Sequence, residues 1–499
     1  MKYVHRYSLI IACLIPAACN DFLDVSSKEK ILQKDIFSNF DGIRMATNGV
    51  YKKLSTPNLY GENLSWGFIS ALGHNYEVSK KTLPPRLFYA ANFAWQYSSV
   101  ENICDDIWSD AYNTIANINN LIQEVVKKDT SFFKEKELEK NMILGEMLGI
   151  RAFLHFDIFR LFVPAPQSGQ KGILIPYVKN YPTQHPEHIP AREFLQAVIE
   201  DMNKSKEILA PIDTVKFRRI LSSSNARIRQ ASSWINIKEG DFFNYRCERM
   251  NFFAATALLA RIYMYMGDYE NAYNHAAIIY NFHKRNWFKW TPAMYQGQYN
   301  NIDNIHIKRP EEILLTFANN KSFDNFERYT NSGPEGIYMF RMKEMDILFG
   351  NDKDDFRYTG WYNRFGLKRY LTWLRPRGNS TTVNNIISDQ GPLLPVIRIS
   401  EIYHILIECH IRKNNMSQAI ALFNDLRLAR GAKEKIASDI SPDNLMDKLV
   451  NDIIRETLTE GQTFFMYKRL NRNIFNGETD IMMEARNWTL PIPYSETAF

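Results

Sequence analysis

The stretch RMNFFAATALLARIYMYMGDYENAYNHAAIIYNF, residues Arg249–Phe282, carries the clearest helical pattern in the sequence. Apolar residues in its first half recur at three- and four-residue steps, as at Leu258, Ile262 and Tyr265, and so share one face of a helix. A Gly-Asp step at 267–268 then interrupts the pattern, because glycine favours turns over helix interiors. The stretch therefore predicts a pair of helices joined by a tight turn.

The spacing within this pair matches that of a tetratricopeptide (TPR) repeat, in which small and apolar residues at fixed positions let two helices pack closely. The matching positions are Leu259, Ala260, Tyr263, Gly267, Asp268, Tyr269 and Ala272. A second stretch, Arg398–Arg430, keeps the spacing, with a break at 414–415. Since one pair cannot bury its apolar face alone, the chain is predicted to stack such pairs. An ordinary helical hairpin is the alternative interpretation of the first pair.

Length and composition allow a large core and a binding surface in the same chain. The sequence has 499 residues, of which 13% are aromatic, enough for a core and for a surface platform of rings. The formal net charge is only +6, and neither a polybasic run nor a nucleic-acid-binding motif is present. We therefore expect no nucleic-acid partner.

The first residues are typical of an export signal. A basic start is followed by the short apolar run Ser8–Ile15 and then by two alanines and Cys19. This run is too short to span a bilayer. A cysteine directly after two small residues resembles a bacterial lipobox, in which that cysteine is acylated and becomes the first residue of the mature protein. We predict a signal peptide over residues 1–18, lipidation of Cys19 and a polar tether over residues 19–34.

The sequence carries no recognisable catalytic or metal-binding motif. It lacks GxSxG, HExxH, Walker A and GxGxxG motifs, and no CxxC pair occurs. We interpret Cys104, Cys247 and Cys409 as small buried hydrophobic residues. His185 and His188 lie in a proline-bound loop without a third ligand nearby, so no metal site is predicted. We expect a protein that is not an enzyme and uses no cofactor.

Several segments together resemble one family. The sequence CNDFLDV at 19–25, followed by a predicted helix at 35–54, resembles the SusD/RagB family of outer-membrane lipoproteins of Bacteroidetes. RAFLHFDIFRLF at 151–162 and WTLPIPYSE at 488–496 match family patterns in the same order along the chain. The two TPR-like stretches also lie where the family has them, so the resemblance covers nearly the whole sequence.

The resemblance implies a mainly α, SusD-like fold over residues 35–499. TPR-like pairs near 106–162, 249–282 and 398–430 would form a scaffold, with long irregular segments and a few short strands on the other side. It further implies a surface-exposed, lipid-anchored protein of the outer membrane that captures oligosaccharides and works with a TonB-dependent (SusC-like) transporter in nutrient uptake. The alternatives are a SusD/RagB-type lipoprotein that captures peptides and a TPR scaffold that binds only the transporter. A hydrolase ranks last.

A saccharide site needs flat aromatic rings flanked by polar side chains, because a sugar ring presents apolar C–H faces and a fringe of hydroxyl groups. Long irregular stretches on a helical scaffold are where binding residues are expected. We predict Trp287 and Trp290 as the leading pair, with Tyr295 beside them, because charged and polar residues flank both indoles. The predicted polar edge consists of Gln296, Gln298 and Asn300.

Other irregular stretches supply further candidates. The alternative interpretation of the leading pair is that both indoles are buried under the loop and hold it in place. Trp66 and Trp95 are equally compatible with core positions, whereas Trp108 and Trp488 are predicted to be structural. The further ligand-binding candidates are Trp66, His74, Asn75, Trp95, Tyr97, Trp361 and Trp373.

Overall fold

The computed structural model describes residues 35–80, 83–169, 174–183, 186–228, 237–296, 306, 308–330, 342–359, 362–363, 366–367 and 390–497. The helices are α1 (Phe40–Leu54), α2 (Phe68–Leu72), α3 (Pro85–Ala91), α4 (Ser98–Lys127), α5 (Lys136–Phe162), α6 (Ala191–Pro211), α7 (Arg218–Leu221), α8 (Ser224–Arg227), α9 (Phe252–Met266), α10 (Tyr269–Lys284), α11 (Ser322–Thr330), α12 (Met342–Phe349), α13 (Phe356–Thr359), α14 (Ile399–Arg412), α15 (Met416–Ala429), α16 (Pro442–Thr457), α17 (Thr463–Leu470) and α18 (Tyr494–Thr497). The strands are β1 (Ile175–Pro176), β2 (His188–Ile189), β3 (Ile313–Ala318), β4 (Tyr362–Asn363), β5 (Gly366–Leu367), β6 (Leu393–Arg398), β7 (Ile474–Phe475) and β8 (Asp480–Ile481).

The stretch at 249–282 folds as the predicted helix pair. The Asn251 side chain accepts a hydrogen bond from the Ala254 N–H (2.9 Å) and so caps the start of α9. Gly267 ends α9 with φ 82°, a left-handed conformation that glycine adopts without steric cost. The Asp268 carboxylate accepts from the Asn271 N–H (3.0 Å) and begins α10 one residue later. A glycine stop and an aspartate start therefore produce the tight turn.

The helices form a continuous row in which each packs on the next. α1 contacts α4, α4 contacts α5, α5 contacts α6, and α6 contacts α9. The row continues through α10 to α14, which packs against both α15 and α16. Such a row lets each pair cover the apolar face of its neighbour. The predicted fold class, a mainly α scaffold of TPR-like pairs with a few short strands, is confirmed.

α5 lies at the centre of this row and is buried around its whole circumference along its second half. Its charged residues are paired inside the protein: Arg151 donates to both carboxylate oxygens of Asp201 on α6 (2.7 and 2.9 Å). Gly145 and Gly149 face α6 and the segment before α9, and a Cβ at Gly149 would lie 2.5 Å from Ser205 Oγ. The absence of side chains there lets the helices approach closely.

One pair of strands that are distant in the sequence completes the scaffold. The strands β3 and β6 pair antiparallel, with Phe317 opposite Leu394 and Ile313 opposite Arg398, and β6 leads directly into α14.

All three cysteines in the described residues are unpaired and buried, as predicted. No helix among the described residues is both long and apolar enough to cross a membrane.

A buried carboxylate at Glu456 on α16 collects arginines from separate elements. Its oxygens accept from Arg309 Nη1 (2.7 and 2.9 Å), Arg430 Nη2 (2.9 Å) and Arg357 Nη1 (3.0 Å), and Arg398 Nη1 lies 3.1 Å away. Burial acts to raise the pKa of Glu456, but the four guanidinium groups outweigh it and hold that pKa well below its ordinary value. The carboxylate is therefore charged in the folded protein. We call these five residues the Glu456 hub.

Glu456→Gln should strongly destabilise the protein, because it removes the carboxylate charge that all four arginines of the hub share. Breaking a buried charge network in this way typically costs about 3–5 kcal/mol. Urea unfolding at neutral pH measures the loss. The control is Asp447→Asn, which breaks an exposed pair with Arg472 (2.5 Å) and should cost less than about 1 kcal/mol. Equal stability losses in the two variants would contradict a structural role for the hub.

Candidate functional site

The predicted exposure of Trp287 is wrong. Its side chain is only 8% exposed and packs edge-on against Phe282 (ring centroids 5.0 Å apart) and tilted against Phe253 (5.3 Å). The chain reverses directly after α10, where Asn286 adopts a left-handed φ of 64°. That turn directs the indole back into the groove between α9 and α10. Trp287 is therefore part of the core, as in the alternative interpretation.

Trp290, the other member of the leading pair, is half-buried and joins the two TPR-like pairs. Its ring lies 4.9 Å from the Tyr403 ring on α14, and the Arg430 guanidinium lies 4.9 Å from its centroid. An arginine over an indole is a favourable cation–π arrangement. Trp290 therefore packs between the two TPR-like pairs, although part of its side chain stays exposed.

The remaining residues of this loop are also engaged. Tyr295 stacks on His306, with ring centroids 4.3 Å apart. Gln296 is buried and donates to the carbonyls of Thr291 (2.5 Å) and Ala429 (3.0 Å), so its predicted role at a polar edge is wrong. Four other predicted residues lie outside the described part of the chain: Gln298, Asn300, Trp361 and Trp373.

Three candidates near the first helices are buried and structural. Trp66 is fully buried, so its predicted stacking role is wrong. His74 is buried, and its Nε2 lies 2.8 Å from the Ala91 carbonyl oxygen. The side-chain amide oxygen of Asn75, Oδ1, accepts from the backbone N–H of Thr459 (3.2 Å). His74 and Asn75 hold the first helices to α3 and to the end of α16, and neither can contact a ligand at the surface.

Among the candidates that the structure describes, Tyr97 is the exposed one, and Trp95 lies half-buried two residues before it. The Tyr97 side chain is 42% exposed and stacks on Tyr89 with centroids 3.8 Å apart and planes at 12°. Trp95 is half-buried and meets Phe93 edge-on at 6.0 Å. We call Tyr89, Phe93, Trp95 and Tyr97 the aromatic patch. Its four rings come from α3 and the short connection to α4.

Backbone geometry and one long-range bond fix the patch. Pro85 lies in the first turn of α3, where its ring suits the helical φ. The helix ends at Asn92, and Phe93 adopts a left-handed φ of 53°, which is uncommon for an aromatic residue. Trp95 Nε1 donates to the Arg486 carbonyl (3.0 Å), which ties the patch to the carboxyl-terminal segment. The rings are therefore held in place before any ligand arrives.

The buried His74 lies next to the aromatic patch and bonds to the end of α3. Its ring lies 6.1 Å from that of Phe93, and its Nε2–H donates to the last residue of α3. Burial lowers the pKa of His74 to about 4, although the bond to the Ala91 carbonyl acts in the opposite direction. The imidazole is therefore neutral at pH 7, which leaves Nε2–H as its donor to α3.

Two members of the patch were missed in the sequence. Tyr89 and Phe93 were not among the candidates, because single residues in a short helix and its following turn give no strong periodic signal. The alternation of aromatic residues at 93, 95 and 97 is a local signal that could have revealed Phe93. The contact between Tyr89 and Tyr97 depends on the turn after α3 and is not visible in the sequence.

One enclosed cavity among the described residues is too small for a saccharide. It lies between α9, α14 and α17, has a volume of about 80 Å³, and is lined by the ion pair of Arg261 with Glu401. Ligand pockets for small molecules usually measure about 300–1,000 Å³. Within the described ranges, no group of three His, Cys, Asp or Glu side chains is placed to hold a metal ion.

Comparison with known proteins identifies the fold. Residues 260–491 match the model of the SusD family. That region of the chain is similar to the SusD family. No curated protein matches the sequence.

Solved SusD structures share the fold across nearly the whole chain. A SusD-like carbohydrate binding protein from Bacteroides vulgatus is 15% identical, with a TM-score of 0.65 over 92% of this chain and 96% of its own. A SusD superfamily protein from the same species is 16% identical, with a TM-score of 0.68 over 92% and 97%. A SusD superfamily protein from Bacteroides thetaiotaomicron is 19% identical, with a TM-score of 0.64 over 92% and 98%. At these identities, the structures establish a common fold.

Acidification should destabilise the protein partly through His74. Between pH 6.5 and about 4 the unfolded histidine takes up a proton that the folded one does not, so this contribution is present above pH 6.5 and lost towards pH 4. Its full size is roughly 3 kcal/mol. His74→Gln keeps an N–H donor but does not titrate, and should flatten the decline in this window. Urea unfolding at pH 7 and pH 4.5 tests this; parallel losses in wild type and variant would contradict it.

Proposed function

We propose that the protein is a cell-surface lipoprotein that captures oligosaccharides without cleaving them and works with a TonB-dependent transporter of the outer membrane. The observation that carries the ligand class is the aromatic patch, where four rings gather at the surface on a rigid support. The SusD-like fold adds to this, since one structural relative is a SusD-like carbohydrate binding protein.

The chemistry of the patch suits a sugar ring. Flat aromatic faces cover the apolar C–H face of a pyranose, and each aromatic contact is worth about 0.5–1.5 kcal/mol. Tyr97 already rests on Tyr89, so its ring loses little freedom when a ligand stacks on the outer face. The exposed amides of Asn92 and Gln96 lie in the same segment and can donate to and accept from hydroxyl groups.

The anchor and the partner are proposed from the amino-terminal sequence and the family. The run before Cys19 and the acidic residues that follow it suit an exported, acylated protein on the cell surface. Acylation would hold the protein at the outer membrane, where a SusC-like transporter could receive the captured ligand.

Removing rings from the patch should weaken oligosaccharide binding without unfolding the protein. Trp95→Ala and Tyr97→Ala should each raise Kd by about tenfold, which corresponds to the loss of about 1.4 kcal/mol of stacking. Isothermal titration with a panel of neutral oligosaccharides measures Kd, and melting curves monitor the fold. Tyr494→Ala, which removes an exposed ring outside the patch, is the matched control and should bind like wild type.

Two results would contradict this assignment. If Trp95→Ala and Tyr97→Ala bind every sugar of the panel as wild type does, the patch is not the binding surface. If wild type binds no sugar but binds members of a peptide library, the ligand class is peptide and the glycan function is wrong.

Cys19→Ala should release the protein from the outer membrane, because it removes the predicted site of acylation. Cys13→Ala is the matched control, since Cys13 lies within the apolar run and should leave the protein anchored. Membrane fractionation and mass spectrometry of the amino-terminal peptide are the measurements. Membrane retention of Cys19→Ala, together with an unlipidated wild-type peptide, would refute the anchor.

A further inference from the structure

A second, larger cleft lies between α1, the segment 241–249 and the segment 318–325. We call it the α1 cleft. Its volume is about 1080 Å³, slightly above the range usual for ligand pockets. The aromatic patch contributes none of its lining residues. The α1 cleft thus has room for a ligand of several rings at a place separate from the patch.

The two arginines that line the cleft are already neutralised by buried carboxylates. Arg44 donates to both carboxylate oxygens of the buried Glu139 (2.6 and 2.8 Å). Arg249 Nε donates to the buried Glu146 (2.9 Å). Both guanidinium groups also lie against the Phe242 ring, at 5.0 and 4.2 Å from its centroid. These charges are committed to the protein, so they do not favour an anionic ligand.

Five neutral amides line the cleft together with charged side chains of both signs, which are Asp41, Lys52, Asp241, Glu248 and Lys321. An amide carries both donors and an acceptor, which suits sugar hydroxyl groups because each of them also donates and accepts. The Asn320 side chain is exposed and makes no hydrogen bond within the described part of the chain. Asn244 uses one N–H on Asp241 (3.1 Å). The amide side chains that line the cleft are Asn48, Asn244, Asn319, Asn320 and Asn325.

A strained residue presents an aromatic ring at the cleft. Tyr245 has φ 54° and ψ 48°, a left-handed conformation that costs a residue with a Cβ about 1–2 kcal/mol. Its side chain is 36% exposed. The next residue, Arg246, is fully buried and donates to Asp213 (3.0 Å) and Glu146 (2.5 Å).

The neighbouring buried arginine explains why the strain persists. Because Arg246 is held inward by two carboxylates, the backbone one residue earlier must turn, and the Tyr245 ring is left at the surface. Non-glycine residues held in this conformation concentrate at ligand-binding and active sites, where the surrounding structure enforces them. The ring stands beside the amide groups, which is the combination that a saccharide requires.

We propose that the α1 cleft is a second binding site for neutral oligosaccharides, with Tyr245 stacking on a sugar ring and Asn320 binding its hydroxyl groups. The ligand class rests on the proposed function, whereas the position is independent of the aromatic patch. Two separate sites would let one chain contact two parts of a long glycan, which raises avidity without any new contact at either site.

Hydroxyl-radical footprinting tests both sites in a single experiment. The probes are malto-, cello-, xylo- and mannohexaose, each added to the full-length protein. Met45, 65% exposed in the lining of the α1 cleft, and Tyr245 report on the cleft, while Tyr97 reports on the patch. Met294 and Met482 are exposed outside both sites and serve as internal controls. At least one hexasaccharide should protect Met45 and Tyr245 while leaving both control methionines unchanged.

Variants separate the two sites. Tyr245→Asn removes the ring while keeping a residue type that tolerates the left-handed conformation, and Asn320→Ala removes an exposed amide. Each variant should raise, by about tenfold, the sugar concentration that gives half-maximal protection of Met45. The protection of Tyr97 should stay unchanged. Tyr97→Ala should leave the protection of Met45 intact.

Each outcome decides one of the two assignments. Protection of Tyr97 without Met45 overturns the second site and leaves the proposed function standing. Protection of Met45 without Tyr97 supports the cleft and overturns the patch. Protection of neither overturns both, and equal protection of Met294 and Met482 shows non-specific binding, which also overturns the second site. If Met45 is protected equally in wild type, Tyr245→Asn and Asn320→Ala, then Tyr245 and Asn320 do not contribute to binding at the second site.

Discussion

The Glu456 hub is the constraint on which the packed scaffold depends. A single buried carboxylate is shared by guanidinium groups that come from the turn before β3, from α13, from the end of β6 and from the end of α15. Isolated charges are very costly in the interior, so the elements that supply these arginines must dock together for Glu456 to keep all four of its partners. The hub therefore couples elements more than 140 residues apart along the chain into one folding unit.

This coupling explains which part of the chain is available for ligands. The loop after α10 is tied to the second TPR-like pair, because Trp290 packs on Tyr403 and under Arg430, itself a member of the hub. The aromatic rings of this loop are therefore used in packing within the protein. The rings of the two proposed sites come from α3 with the connection that follows it and from the turn at Tyr245.

Local patterns in the sequence predicted the helices well and the exposed rings poorly. The pair at 249–282 was predictable because periodicity, Gly267 and Asp268 all act within a few residues. The burial of Trp287 was not predictable, because it depends on Phe253, which lies 34 positions earlier in the sequence. The charged neighbours of Trp287 suggested exposure, but Arg285 and Lys289 are themselves the exposed residues. Trp95 is likewise fixed by Arg486, 391 positions away. Candidate rings could be collected from sequence, but choosing among them required tertiary contacts.

Rigid support is what gives the few exposed rings their binding value. Association must overcome the loss of side-chain freedom at the interface, about 0.5–1.5 kcal/mol for each immobilised side chain, a loss comparable to the gain from one aromatic contact. A freely rotating tyrosine would therefore gain little from stacking on a sugar. The Tyr97 ring is already stacked on the Tyr89 ring. The backbone at Tyr245 is held by the next residue, the buried Arg246. Since the Tyr97 ring is already ordered by its stack on Tyr89, more of the contact energy remains for the ligand.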